Sequence, residues 1–311
     1  MIQKLLTGVM ILLLAACGAD QAAPTATPEP PTTTPETSRP LVLGDIGDEP
    51  AKTIEEFQPL ADYLAANLQE QGIGVGEVKV APDLETMAQW MEAGEVDIYF
   101  DSSYPALIVS SESGAQPILR RWKGGVSEYH TVFFTRTDSG LESLDDLPGH
   151  SIAFEDDFST SGYMLPLAYM TEAGLKSAEM AEPDATVADD EVGYVFSGDD
   201  DNTIQWVVSN RVDAGVTDNR NYSELPEETR NQLTILAETE ALPRQLVIVR
   251  PGMDAELVDA LTALMTNMDE SEEGAAVLAT FEKTAQFDEF PGGTDAALER
   301  MRELYQLVVQ E

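Results

Sequence analysis

Cysteine occurs once in these 311 residues, at position 17, and histidine only twice, at His130 and His150. A single cysteine excludes an internal disulfide, and so few thiols and imidazoles leave no ordinary set of zinc ligands. Cations are scarce as well: 17 Lys and Arg stand against 57 Asp and Glu, a formal net charge of -40. A field of that sign repels phosphate backbones and anionic lipid surfaces, so nucleic acid is excluded as a partner. It also repels small anions at long range, although salt screens that beyond about 10 Å at 0.1 M. Long apolar runs are missing too: the most hydrophobic stretch, near the start of the chain, is too short to span a bilayer. No Gly-x-Ser-x-Gly elbow or P-loop is present. Asp199-Asp200-Asp201-Asn202 lacks the glycine and closing glutamate of an EF-hand loop. No cofactor or metal is implied.

What is present begins with Lys4, followed by the apolar run Ile11-Leu12-Leu13-Leu14 and then small residues, the pattern of a secretory signal. Leu14-Ala15-Ala16-Cys17 resembles the bacterial lipoprotein box, which implies a signal and lipobox over residues 1–17 and a lipid on Cys17. Residues 18–40 are rich in Thr, Pro, Ala and Glu and cannot bury enough apolar surface to fold, so they read as a tether. About 270 residues remain, enough for two lobes.

That remainder alternates between short apolar strands and amphipathic helices. Leu41–Leu43, Val78–Val80, Val96–Phe100, His130–Arg136, Val192–Phe196, Val212–Val216 and Leu246–Val249 read as strands. Helical spacing appears at Ile54, Phe57, Leu60, Leu64 and Leu68, and again at Leu84, Met87, Ala88 and Met91 before Gly94. Such alternation predicts an α/β fold with mostly parallel sheets, in which ligands sit beyond the carboxyl ends of strands. Polar clusters at 45–48, 101–104, 157–161, 198–202 and 217–219 all fall at such ends.

One of them stands out. After the apolar Ile152-Ala153-Phe154, three consecutive hydroxyls, Ser159, Thr160 and Ser161, open a helix that runs on through Met164, Leu165 and Leu167. A helix start offers unpaired N–H groups and the positive end of the dipole. One hydroxyl there is an N-cap; three form a donor-rich cradle for a small oxyanion.

The order of these segments resembles the phosphate/phosphite/phosphonate-binding lipoproteins of ABC importers, the PhnD-like family. The likeness rests on Phe57-Gln58-Pro59-Leu60-Ala61-Asp62-Tyr63-Leu64, Ala93-Gly94-Glu95-Val96-Asp97-Ile98, and the segment from Thr137 to Gly149. It continues through Ser159-Thr160-Ser161-Gly162-Tyr163 and Arg211-Val212-Asp213-Ala214-Gly215. The resemblance implies a type II clamshell, with lobe 1 over 41–136 plus 239–311 and lobe 2 over 137–238. A small solute would be captured in the interlobe cleft and delivered to an ABC permease by a monomer, tethered outside the cell membrane through Cys17. Carried over by position, Ser159, Thr160 and Ser161 would hold the oxyanion, Tyr104 would meet it from the facing lobe, and Tyr129, His130, Asp218 and Asp48 would lie nearby. The resemblance implies transport, not catalysis.

Where that family commonly carries a histidine, this chain has Asp200. An ionised aspartate cannot donate to an oxyanion. Four readings stay open: Asp200 accepts from a protonated ligand oxygen, pairs with the cation of a zwitterionic ligand, marks a change to a neutral or cationic solute, or caps the following helix. A sensor subunit on the same clamshell, and a secreted hydrolase using Ser159 or Ser161, are the remaining alternatives.

Overall fold

A computed structural model describes residues 38–309; the predicted signal, lipobox and most of the tether, Cys17 included, lie outside the described residues. The chain runs through β1 (Arg39–Ile46), α1 (Pro50–Asn67), β2 (Ile73–Ala81), α2 (Leu84–Ala93), β3 (Ile98–Asp101), α3 (Ser103–Ser113) and β4 (Gln116–Arg121). It crosses through β5 (Glu128–Tyr129) into β6 (Thr131–Arg136) and β7 (Ser151–Phe154). A turn of π-helix (Thr160–Met164) then leads into α4 (Leu165–Glu172), β8 (Ser177–Glu179), β9 (Val192–Phe196) and α5 (Asp200–Val208). Next come β10 (Ala214–Asp218), α6 (Asn219–Glu224), α7 (Glu227–Arg230) and β11 (Leu233–Glu238). The chain returns through β12 (Leu242–Pro243) to β13 (Gln245–Val249), α8 (Ala255–Thr266), α9 (Glu272–Thr280), β14 (Phe287–Asp288) and α10 (Thr294–Val309).

Two six-stranded sheets result, in the orders β14-β4-β13-β3-β1-β2 and β11-β6-β10-β7-β9-β8, joined by the two-stranded ribbon of β5 and β12. Both sheets are mixed, and in each most strands run the same way, as the α/β expectation had it. β1 runs parallel to β2 and β3, while β13 is antiparallel to β3 and β4. In the second sheet β7, β9, β8 and β10 run parallel, and β6 is antiparallel to β10 and β11. The strands that follow each crossing, β6 and β13, run against their neighbours because a chain arriving from the other lobe enters its new sheet from the cleft end; β14 is likewise antiparallel to β4. For the same reason β6 belongs to the second lobe, whereas the expected boundary at 136 left it in the first. Its register, Thr131 opposite Asp218 through Thr135 opposite Ala214, fixes that membership.

Local sequence explains the elements. Asp83 caps α2 by accepting from the Thr86 N–H at 2.7 Å, and Gly94 closes it in the left-handed region at φ 72°. Leu60, Leu64, Leu261, Met265 and Phe281 pack from α1, α8 and the end of α9 against Leu41, Leu43 and Phe100 on one face of the first sheet. Tyr104 in α3, Met164 and Leu167 on the cradle helix, and Met301 and Leu304 in α10 share a core that runs from one lobe into the other. The C-terminal helix thus packs on both lobes, and Arg300 fastens it to Glu172 at 3.0 Å and to Glu240 of the return crossing at 2.5 Å.

Asp97 locks the first sheet. Its carboxylate, 2% exposed, accepts from the Val42 N–H at 3.0 Å, from Arg39 at 3.0 Å and from Arg250 at 2.8 Å, joining β1, the start of β3 and the end of β13. Removing it strands a buried N–H and leaves two guanidinium groups to water. Asp97→Ala is expected to cost about 2–3 kcal/mol, lowering Tm by about 4–12 °C in a thermal melt.

Candidate functional site

The hydroxyl cradle lies at the contact between the lobes. Its helix starts at Ser159, whose Oγ accepts from the Gly162 N–H at 3.0 Å and donates to Glu155 Oε2 at 2.6 Å. Thr160, 1% exposed, reaches across: its Oγ1 accepts from the Tyr104 N–H at 2.8 Å and donates to Ser102 Oγ at 3.0 Å. Ser102 is the N-cap residue of α3, so two helix starts, one from each lobe, face one another across a single hydroxyl. Both point positive dipole ends at that spot. Ser161 is held in place through its carbonyl, which accepts from Thr131 Oγ1 at 2.8 Å. Ser103 Oγ donates to the Pro243 carbonyl at 3.0 Å, tying α3 to the crossing ribbon.

The other predicted residues divide. Tyr129 is buried on the crossing, with its hydroxyl directed toward Thr160 and Ser102. Burial raises its pKa, against the pull of Arg244. Tyr104 contributes its backbone N–H, whereas its ring packs away among Tyr163 and Tyr305, with centroids 6.4 Å and 5.8 Å distant. His130 lies on the crossing; its N–H donates to Asn219 Oδ1 at 3.2 Å and its Nε2 lies 3.8 Å from Glu238. Asp218 is an N-cap, accepting from the Arg220 and Asn221 N–H groups at 2.8 Å and 3.0 Å. Asp48 stands apart from the cradle, on the wall of the open cleft.

Asp200 is partnered within its lobe: Oδ1 accepts from Thr217 Oγ1 at 2.7 Å and Oδ2 from Asn221 Nδ2 at 2.6 Å. Capping of α5 falls instead to Asp199, which accepts from the Asn202 N–H at 2.6 Å. Burial raises the Asp200 pKa, and neighbouring Asp218 adds to the effect.

Two residues that sequence reasoning passed over belong to the site. Arg244 lies between β12 and β13 with its guanidinium 4.4 Å from the Tyr129 ring centre. It makes no ion pair among the described residues, and its charge is felt by Asp200 in the facing lobe. Only its rarity as a cation at a crossing could have signalled it. Glu155 ends β7 with its carboxyl beside Ser159, and burial with Asp200 pushes its pKa up to about 7.

Beside the cradle a cavity of about 890 Å³ opens between the lobes. Asp45, Asp48, Asp101, Lys123 and Glu282 line it from lobe 1, and Asp157, Phe158 and Gly198 from lobe 2. Its cations are already engaged. Glu282 pairs with Lys123 at 2.8 Å and with the fully buried Arg121 at 2.9 Å, from a backbone held at φ 46°. Burial works against the Glu282 charge, but Lys123 and Arg121 hold its carboxyl below the usual range. Asp101 accepts from the Tyr99 hydroxyl and, at 2.6 Å, from the Ser102 N–H; burial raises its pKa. Burial also pushes Asp45 up to about 7, helped by Asp101 and Glu282. Among the described residues no group of His, Cys, Asp and Glu is arranged to hold a metal ion, and no helix is long and apolar enough to cross a membrane.

Two α/β lobes joined by a double crossing, with facing helix starts at the cleft, define a type II periplasmic binding protein. Residues 47–292 match the profile of the periplasmic substrate-binding proteins of phosphonate ABC transporters, and the chain belongs to that family. This is a family of transport proteins, not of enzymes. The phosphate-import protein PhnD of Mycolicibacterium smegmatis is 28% identical over 210 residues, covering 66% of this chain and 61% of that one. XAC2383 of Xanthomonas citri, solved with a chloride ion, is 30% identical with a TM-score of 0.79, covering 87% of this chain and 97% of its own. The same protein has also been solved bound to ATP. PhnD1 of Prochlorococcus marinus, solved with methylphosphonate, shares the fold at a TM-score of 0.62 and 17% identity, over 87% of this chain and 98% of that one.

The raised Asp45 pKa has a consequence for stability. The folded protein keeps that proton up to about pH 7, whereas an unfolded aspartate releases it near its ordinary value of 3.8, so ionisation weakens the fold as pH rises between those values. Asp45→Asn is expected to leave Tm nearly unchanged at pH 4 and raise it at pH 8. A relieved penalty of about 2 kcal/mol corresponds to about 4–8 °C by calorimetry.

Proposed function

We propose that this protein captures a small phosphoryl or phosphonyl oxyanion in the interlobe cleft and delivers it to an ABC permease. The observation that carries the reading is Thr160, whose hydroxyl bridges the starts of two helices from opposite lobes. An oxyanion can replace that hydroxyl and accept from the Tyr104 N–H, Thr160 and Ser161 at once, with the Arg244 guanidinium, which has no ion-pair partner among the described residues, to complement it. Contacts made to both lobes drive the hinge closed, since a ligand shifts an equilibrium only through contacts that differ between its states. The relatives' names, phosphate import and a methylphosphonate complex, are of the same chemical class.

The large cavity favours a ligand with more than an oxyanion. At about 890 Å³ it leaves room for a substituent, and the carboxyls of Asp48 and Asp157 on its walls suit one bearing a cation. A zwitterion such as an aminoalkylphosphonate therefore fits better than phosphate alone. The lipobox-like sequence supports anchoring through a lipid on Cys17 at the outer face of the cell membrane. Replacing Cys17 by Ala is expected to release the protein from the membrane fraction.

Calorimetric titration with phosphate, phosphite, methylphosphonate and 2-aminoethylphosphonate tests the reading. Saturable binding is expected, tightest for the amine. Thr160→Val, Ser161→Ala and Arg244→Ala should each weaken it by about 10–150-fold, the range set by one hydrogen bond to a charged group. No binding by any of the four compounds would refute the oxyanion assignment.

A further inference from the structure

Glu155 is a carboxyl built into a cradle for anions. Its backbone is pinned on both sides: its N–H donates to the Gly162 carbonyl at 3.0 Å, and its own carbonyl accepts from the Gly198 N–H at 2.8 Å. Its side chain is pinned as well. Oε2 takes the Ser159 hydroxyl at 2.6 Å and lies so close to Gly162 that a Cβ there would meet it at 2.5 Å. Glycine at 162 is what admits the carboxyl to the mouth of the helix.

The surroundings do nothing to neutralise an ionised Glu155. Asp156 flanks it on its own loop, and Asp200 from α5 and Asp218 from the end of β10 raise its pKa further after burial. The pocket of about 470 Å³ that it lines adds Asp199, Asp201 and Glu224. Across the cleft Arg244 acts on Asp200. Two negative charges, one fixed and one arriving, cannot share a partly buried cradle without strong repulsion.

We infer that Glu155 is a specificity-determining residue of the cradle: it must be protonated for a phosphoryl or phosphonyl anion to be held there, so each binding event fixes one proton on its carboxyl. The inference rests on the oxyanion reading of the cleft. The proton comes from solvent and adds to the Glu155 carboxylate, giving a neutral carboxyl that can keep its contact with Ser159 and donate its hydrogen to the ligand. With a pKa of about 7 the free group is split between its two forms at neutral pH, so the requirement bites in the ordinary working range. Above that value affinity falls up to tenfold per pH unit, beyond whatever the ligand's own ionisation contributes.

The test is calorimetry of methylphosphonate binding from pH 6 to pH 9, in pairs of buffers with different ionisation enthalpies, on the wild-type protein and Glu155→Gln. Glutamine keeps the size and a donor but cannot titrate, and both proteins see the same ligand ionisation. The expected result is that at pH 8.5 the wild type takes up close to one proton more per ligand than the variant, and binds at least tenfold more weakly. Ser159→Ala supplies a second measurement: without its hydroxyl the Glu155 carboxylate loses a stabilising hydrogen bond, so the wild-type pH profile should move to higher pH. Identical proton counts and parallel profiles in wild type and Glu155→Gln would overturn the inference while leaving the oxyanion reading standing. Absence of binding in either protein at every pH, for methylphosphonate and for phosphate, phosphite and 2-aminoethylphosphonate alike, would overturn both.

Discussion

The two lobes are joined chemically at Thr160. Its hydroxyl, set between the Tyr104 N–H and Ser102 Oγ, is where the start of α3 meets the start of the cradle helix. The side chains and backbone groups assigned to the proposed site are arranged around that contact. Asp101 fixes Ser102 from the end of β3, Thr131 fixes Ser161 from the start of β6, and Ser103 ties α3 to the return crossing. Each of these anchors lies within a few residues of a crossing or a strand end.

A chain of net charge -40 repels anions at long range, and what the cleft offers an anion is local. Long-range repulsion is screened by salt, while helix starts act within one turn. The cations near the cleft are unequally used. Arg121 and Lys123 are spent on Glu282, whereas Arg244, stacked on Tyr129, has no carboxylate partner among the described residues. Three buried carboxyls, Asp45, Asp101 and Glu155, have pKa values raised by desolvation. The formal charge thus overstates the negative field an anion meets near neutral pH.

Much of this was legible in the sequence, and the parts that were not share a cause. The helix at 84–93 was readable because Asp83 and Gly94 punctuate it and Met87, Ala88 and Met91 keep its period. The hydroxyl triplet was readable because three donors in a row exceed what a cap needs. β4 was not, because Gln116-Pro117-Ile118-Leu119-Arg120-Arg121 looks polar; its arginines are buried by partners about 160 residues further on, Asp288 and Thr284. The lobe boundary was misplaced because the polar turn after Arg136 resembles a junction, whereas the true crossing at β5 is two residues long with no change in composition. Asp200 sits in an acidic stretch, and only tertiary contacts turn it toward Thr217 and Asn221. Partners distant in sequence, not weak local signals, set the limit.

The most direct measurement is a crystal structure of the protein with methylphosphonate. The account predicts the phosphonyl oxygens between the two helix starts, within hydrogen-bond distance of the Tyr104 N–H, Thr160 and Ser161 and beside Arg244, with the Thr160–Ser102 contact opened to admit them. A phosphonate bound elsewhere in the cleft, with Thr160 still bonded to Ser102 and Tyr104, would contradict it.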